Sequence, residues 1–136
     1  MISTRGKYAL RVMIELAQNP TNAYIPMKEV ALRLGISLKY LEQILPPLTR
    51  NGLVEAVQGK GGGYRLTRKA SEYSVGEILR LTEGTLSSVS CTAEGAPSCG
   101  QESRCPTLNL WRGLDQVVNE YLDSRTLADL LAVPQQ

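Results

Sequence analysis

Residues 35–66 read GISLKYLEQILPPLTRNGLVEAVQGKGGGYRL. Gly35 is suited to closing one helix in a left-handed conformation, and Ser37 to capping the next. Leu38, Leu41, Ile44, Leu45 and Leu48 then recur at helical spacing, and Gly52 stops the pattern. Pro46 and Pro47 interrupt it, because proline removes a backbone donor and crowds the preceding turn. A kink or break is expected there, with a last turn resumed to Asn51. LVEAVQ (53–58) alternates as a strand, Gly59 to Gly63 is a turn of almost unrestricted backbone, and Tyr64-Arg65-Leu66 returns as the second strand of a hairpin.

Working outward, residues 4–18 place Ala9, Leu10, Val12, Met13, Leu16 and Ala17 on one helical face, and Asn19-Pro20 ends it. Pro26 suits the first position of a second helix, whose apolar stripe is Met27, Val30, Ala31 and Leu34. Beyond the hairpin, Ser74-Val75-Gly76-Glu77 reads as a capping box opening a helix through about Thr82. Residues 84–105 lack periodicity. Pro106 can start a long helix with Leu110, Trp111, Leu114, Val117, Val118, Tyr121 and Leu122 on one side. Thr126 and Asp129 can cap a final short helix, LADLL.

Three helices followed by a Gly-tipped hairpin is the element order of a winged helix-turn-helix. The fold class expected is mainly α with a small β-hairpin wing, plus a long C-terminal helix. In that geometry the exposed N-terminal residues of the third helix face the DNA major groove. These are Ser37, Lys39, Tyr40, Glu42 and Gln43. Ser37 and Tyr40 can bond phosphate oxygens, Lys39 phosphate or guanine, Gln43 adenine, and Glu42 the cytosine amino group. At the wing, glycine lets backbone N–H groups approach phosphate closely, and Lys60 can enter the minor groove. Lys28, Gln58, Gly61, Gly62 and Tyr64 complete the candidate DNA-binding set. An ordinary helical hairpin shares this spacing, so the order of elements carries more weight than the motif alone.

Charge supports a polyanion partner. Residues 1–80 hold 12 Lys/Arg against 6 Asp/Glu, a net +6, whereas residues 81–136 hold 3 against 7, a net −4. The glycine run is not a nucleotide-binding loop, because Gly61 stands where Ser or Thr would follow the lysine. The chain has no histidine, which excludes the usual hydrolytic triads and imidazole bases; an enzyme is not expected. No apolar run approaches the roughly 20 residues needed to span a membrane. The N-terminus lacks a secretory pattern, so a cytoplasmic location is expected.

The three cysteines fall in one polar stretch, CTAEGAPSCGQESRC (91–105). Their odd number argues against a closed disulfide framework. Thiolates suit an iron–sulfur cluster or zinc, yet the spacing matches neither ferredoxin runs nor paired zinc knuckles. Oxidation-sensitive thiols without a metal are the third reading. A fourth ligand would come from Glu94, Glu102, Ser98, Ser103, Asn109, a partner subunit, or an exogenous thiolate or water.

ISTRGKYALRVMIELA, GISLKYLEQIL, NGLVEAVQGKGGGYRL, SVGEILRLTEG, the cysteine stretch, LW and TLADLL together resemble the Rrf family of bacterial winged-helix regulators. The similarity runs over nearly the whole chain. It implies a homodimeric repressor or activator of a double-stranded DNA operator, paired through the helix at about 106–123. In IscR-like members three cysteines ligate an iron–sulfur cluster; the matching positions are Cys91, Cys99 and Cys105, and [2Fe–2S] is expected over [4Fe–4S]. The signal implied is cluster status, redox state or nitric oxide. The alternative is a cluster-free, CymR-like regulator controlled by a partner protein or by thiol oxidation. Departures are specific. Gln58 replaces an arginine common before the wing glycine, Leu108 stands where IscR-like members carry histidine, and Lys7 where NsrR-like members carry an acid. The expected organisation is a DNA-binding part (1–83), a cluster loop (84–105), and a dimerisation helix with a short last helix (106–136).

Overall fold

Helix α1 (Thr4–Ala17) starts at Ser3, whose hydroxyl accepts the Gly6 N–H at 3.3 Å. The same serine donates through its N–H and its hydroxyl to Glu83, each at 2.8 Å, which ties the start of α1 to a residue 80 positions later. Helix α2 (Met27–Leu34) follows Pro26 and ends at Gly35 with φ 68°, the left-handed closure expected. Ser37 caps α3 (Leu38–Arg50) by accepting the Tyr40 N–H at 3.0 Å. Strands β1 (Val54–Val57) and β2 (Gly63–Leu66) pair antiparallel, with Val54 opposite Leu66 and Val57 opposite Gly63. Helix α4 (Val75–Glu83), a long loop, α5 (Leu108–Asp123) and α6 (Leu127–Leu131) complete the order; single 3₁₀ turns lie at Ala70–Glu72 and Ser90–Thr92. This computed structural model describes residues 2–132; Met1 and residues 133–136, at the outer ends of the first and third expected segments, lie outside the described residues.

Several expectations need correction. Helix α3 runs unbroken through Pro46 and Pro47. Pro46 is exposed and Pro47 half-buried, so the two missing bonds fall away from the buried face of Leu41, Ile44, Leu45 and Leu48. Polar side chains strengthen the following turn: Thr49 donates to the Pro46 carbonyl at 3.1 Å and Asn51 to that of Pro47 at 2.7 Å. Leu38, expected in the buried face, is 38% exposed because it sits in the first turn, ahead of the core contact. The apolar side of α5 divides in two. Leu108, Asp115 and the half-buried Trp111, Val118 and Leu122 face the protein, whereas Leu110, Leu114, Val117 and Tyr121 face outward.

The core is built around α1. Ala9, Val12 and Met13 are fully buried, against Val30 and Ala31 of α2, Leu41, Ile44 and Leu48 of α3, and Ile78 of α4. A buried side chain of this size contributes about 1.5–3 kcal/mol. Leu127 of α6 enters the same core, fully buried. Its helix is held by the expected reciprocal cap, Thr126 and Asp129 each bonding the other's backbone N–H. The expected capping box at α4 is half realised. Ser74 accepts the Glu77 N–H at 3.0 Å, but the Glu77 carboxylate turns to Arg68 at 3.0 and 3.1 Å.

Tyr73 is the core's polar pin. Its hydroxyl donates to the Leu53 carbonyl at 2.7 Å and accepts the N–H groups of Thr67 and Arg68, both at 2.9 Å. One buried phenol therefore joins the entry of β1, the exit of β2 and the root of α4. Its ring fills space while its oxygen satisfies backbone that the hairpin ladder leaves over.

Candidate nucleic-acid interface and cysteine site

The helix-turn-helix is formed by α2, the Gly35 turn and α3, and the hairpin follows as a wing. Lys39, Glu42 and Gln43 are exposed on the first turns of α3, and Lys28 is exposed on α2. Ser37 is exposed, but its oxygen is engaged by the helix cap. Tyr40 is half-buried and meets Tyr8 of α1 edge to face, with centroids 5.7 Å apart; Arg11 lies over Tyr8 at 5.3 Å. Tyr40 is thus a brace between the reading helix and α1.

Two close backbone approaches shape the wing. Ile25 and Tyr64 exchange N–H···O bonds at 2.9 Å each, so the segment before α2 adds a short third edge to the hairpin. Gly63 makes that contact possible. At φ 149°, a Cβ there would lie 2.2 Å from the Ile25 carbonyl oxygen. Gly62 is similarly confined, since a Cβ there would lie 2.2 Å from the Val57 carbonyl oxygen. Gln58, Lys60 and Gly61 are exposed at the tip, whereas Tyr64 is half-buried. Tyr64 and Glu42 line one hollow of about 220 Å³ between α3 and the wing. Among the described residues Lys28, Lys39 and Lys60 make no ion pair, while Arg33, Arg65, Arg68 and Arg80 each have a carboxylate partner. The DNA-candidate lysines therefore keep their charge uncommitted. A larger hollow of about 650 Å³ is lined by Arg65, Arg68 and Lys69, but also by Glu55 and Glu72. Arg65 pairs with Glu55 and Arg68 with Glu77, so this hollow has little net cationic character.

The cysteine stretch lies against α5. Cys91, Cys99 and Cys105 all line one hollow of about 220 Å³, together with Glu102, Leu108 and Arg112. Cys91 and Cys99 are exposed and Cys105 is half-buried. The Cys105 sulfur lies 3.5 Å from the Thr107 hydroxyl, and this hydrogen bond, with backbone N–H groups of Thr107 and Leu108, holds its thiol below the usual range. The Ser98 hydroxyl bonds the Glu102 carboxylate and lowers its pKa, assisted by backbone N–H groups of Glu102, Cys99 and Gly100. Three soft sulfur donors and one carboxylate around a common space are of the kinds a thiophilic metal or an iron–sulfur cluster takes. Among the described residues, no three Cys, Asp or Glu side chains are gathered closely enough to hold a single ion. The side chains that line the hollow are nonetheless of the donor types such a group takes.

Two acids that sequence reasoning left out tie α5 to its surroundings, Asp115 to the loop and Asp123 to α4. Burial pushes the Asp115 carboxyl up, but bonds from Thr92 and Ser88 outweigh it and leave it below the usual range. Asp123 pairs bidentately with Arg80 at 2.7 and 2.8 Å, joining α5 to α4. The signal for Asp115 was its place four residues after Trp111, on what proves to be the packed face of α5.

A recognition-type helix beside a Gly-built wing, with a thiol-lined loop and a long outer helix, defines a winged-helix regulator. The chain belongs to the Rrf2 family, whose model, described as an iron-dependent transcriptional regulator, matches residues 2–133. It is 36% identical over 130 residues to the HTH-type transcriptional regulator IscR of Serratia proteamaculans, covering 96% of this chain and 78% of that one. Among solved structures it is similar to CymR, the global cysteine regulator of B. subtilis. That match has a TM-score of 0.79 and 36% identity, covering 99% of this chain and 98% of that chain. It is also similar to T. potens IscR, with a TM-score of 0.77, 32% identity, and 100% and 93% coverage. The chain is an IscR-type transcriptional regulator of the Rrf2 family and not an enzyme. No helix among the described residues is long and apolar enough to cross a membrane.

Proposed function

We propose that the chain acts as a homodimer that binds a two-fold-symmetric operator and reports iron–sulfur cluster status, redox state or nitric oxide through Cys91, Cys99 and Cys105. The convergence of all three thiols on one hollow beside α5 carries this reading. When bound, the cluster supplies iron sites that oxygen, nitric oxide or cluster exchange can attack. The remaining work belongs to this chain's own residues. The exposed stripe of α5 holds two copies together. Lys28, Lys39 and Lys60, with the backbone of Gly61 and Gly62, neutralise and position phosphates. Glu42 and Gln43 read base edges, and Ser37, Tyr40, Gln58 and Tyr64 complete the DNA-binding set. Residues 1–83 read DNA, 84–105 sense and 106–136 dimerise. Occupancy of the loop alters DNA binding only as far as it favours one arrangement of the two reading helices over another.

The test is an anaerobic absorption spectrum of the purified chain with iron and sulfide counts, repeated for Cys99→Ser. The expected result is a coloured protein whose cluster is lost in the variant. A fully coloured, stoichiometric Cys99→Ser protein would defeat three-thiol ligation.

A second reading has its own support. Cys91 and Cys99 are exposed, Cys105 has a lowered pKa, and a similar solved structure is the oxidised form of Staphylococcus aureus CymR, at 36% identity. In this reading thiol oxidation or a partner protein sets the state. A protein that remains colourless after anaerobic purification and reconstitution, yet loses DNA affinity on mild oxidation, would select it.

A further inference from the structure

The cysteine hollow offers three thiols where an iron–sulfur cluster conventionally takes four protein ligands. Its lining narrows the choice of the fourth. Leu108, at its inner end, carries no donor atom. Glu94 lines a different hollow, beside Asp115 and Asn119. Ser103 and Asn109 are absent from the lining of the cysteine hollow, and the Ser98 hydroxyl is committed to Glu102. Of this chain's own candidates, Ser98 and Glu102 both line the hollow and bond each other, and only Glu102 brings a negative charge to a cationic iron site.

Its position is built by the loop itself. Ser98 accepts the Gly100 N–H at 3.2 Å and bonds Oε1 of Glu102 four residues on, closing a turn with Cys99 inside it. Ser98 engages Oε1, and backbone N–H groups of Cys99, Gly100 and Glu102 also face the carboxylate, which fixes it beside Cys99. Arg112 of α5 lines the same hollow and brings a cation to a donor set of three cysteine sulfurs and a carboxylate. We propose that Glu102 supplies the fourth ligand, through oxygen, to an iron–sulfur cluster held by Cys91, Cys99 and Cys105. This rests on the iron–sulfur reading above. A carboxylate is a harder ligand than a thiolate, so the iron it holds is the exchangeable, signal-accessible corner of the cluster.

The experiment reconstitutes the full chain anaerobically with isotopically enriched iron and sulfide. Wild type is compared with Glu102→Ala, Glu102→Cys and the control Glu94→Ala, each checked by circular dichroism. Mössbauer and resonance Raman spectra report the ligands, and EDTA-driven bleaching reports retention. Wild type and Glu94→Ala should share one oxygen-ligated iron site. Glu102→Cys should convert it to an all-sulfur site. Loss of groups that merely orient a metal ligand costs about 10–100-fold in affinity, so Glu102→Ala should bleach at least about tenfold faster. Superimposable spectra and equal bleaching in wild type and both Glu102 variants would overturn the assignment and leave the cluster reading standing. A spectral change in Glu94→Ala alone would likewise overturn it. A wild-type chain that takes up neither iron nor sulfide would overturn both this assignment and the cluster reading.

Discussion

The Asp115 carboxylate accepts the Thr92 hydroxyl at 2.5 Å, so α5 grips the loop one residue past Cys91. The Ser88 N–H reaches the other oxygen at 2.7 Å, which fixes the chain on both sides of that cysteine. Loop and outer helix thus share one buried carboxylate, and a rearrangement around Cys91 has a direct mechanical route to the helix proposed to hold the dimer.

Asp115→Asn should loosen residues 88–92 without unfolding the core. The sign of the pH effect follows from the lowered carboxyl. Its stabilisation is fully present above the ordinary Asp range, near pH 3.9, and disappears as pH falls below that range through the folded value. Hydrogen exchange at residues 88–92 should show faster opening on acidification of wild type. Asp115→Asn should open faster at neutral pH and lack that acid limb. Equal protection in the two proteins at neutral pH would remove Asp115 from this role.

Tyr73→Phe should destabilise the fold by about 1–3 kcal/mol, because the Arg68 N–H loses its partner and the Leu53 carbonyl keeps only its longer bonds from the Thr67 N–H and hydroxyl. Equilibrium urea denaturation measures it. A change within a few tenths of a kcal/mol would show that water replaces the hydroxyl.

Gly63→Ala should damage the wing specifically. The added Cβ meets the Ile25 carbonyl at 2.2 Å in a conformation that L-residues rarely adopt. Residues held in such sparsely populated regions cost about 1–3 kcal/mol. Operator affinity in a mobility-shift titration should fall, while far-UV helix content is retained. Unchanged affinity would remove the wing from the DNA contact.

Lys39→Ala should weaken operator binding and lower the slope of log affinity against log salt by about one, if Lys39 neutralises one phosphate. A loss of affinity with the slope unchanged would place Lys39 on a base edge.

The elements were legible wherever local chemistry decided them. Ser37, Gly35, the Thr126–Asp129 pair and the glycines of the hairpin each announce a cap or turn that the structure contains. The continuity of α3 was not legible. Whether Pro46 and Pro47 break a helix depends on where their missing bonds fall relative to the core, and that is tertiary information. Tyr73 lies in SEYS, which carries no periodicity; its role comes from three backbone groups brought together by the hairpin and α4. The thiol cluster was visible as spacing, but the exclusion of Glu94 and the inclusion of Glu102 come from how the loop folds against α5. The same limit hid Asp115, since an acid at a helical position reads as solvated until its face is known.

That two-faced character of α5 also yields the test of assembly. Leu110, Leu114, Val117 and Tyr121 recur at intervals of four, three and four, the seam of a two-stranded helical pairing, and they are 40–64% exposed. A contiguous outward apolar row is a contact surface in waiting. In a two-fold dimer each substitution appears twice and lies close to its own copy near the axis. Val117→Asp removes an apolar side chain from each copy and places like charges together. Losing two buried side chains costs about 3–6 kcal/mol, on the order of 10²–10⁴ in the dimer constant. Light scattering coupled to size exclusion should show a dimer for wild type and a monomer for Val117→Asp at micromolar concentration. Affinity for the full operator should fall steeply, because one copy spans only one half-site. Glu120→Lys, on the same helix but outside the row, should remain dimeric. A Val117→Asp protein that stays dimeric would place the interface elsewhere and remove α5 from the assembly.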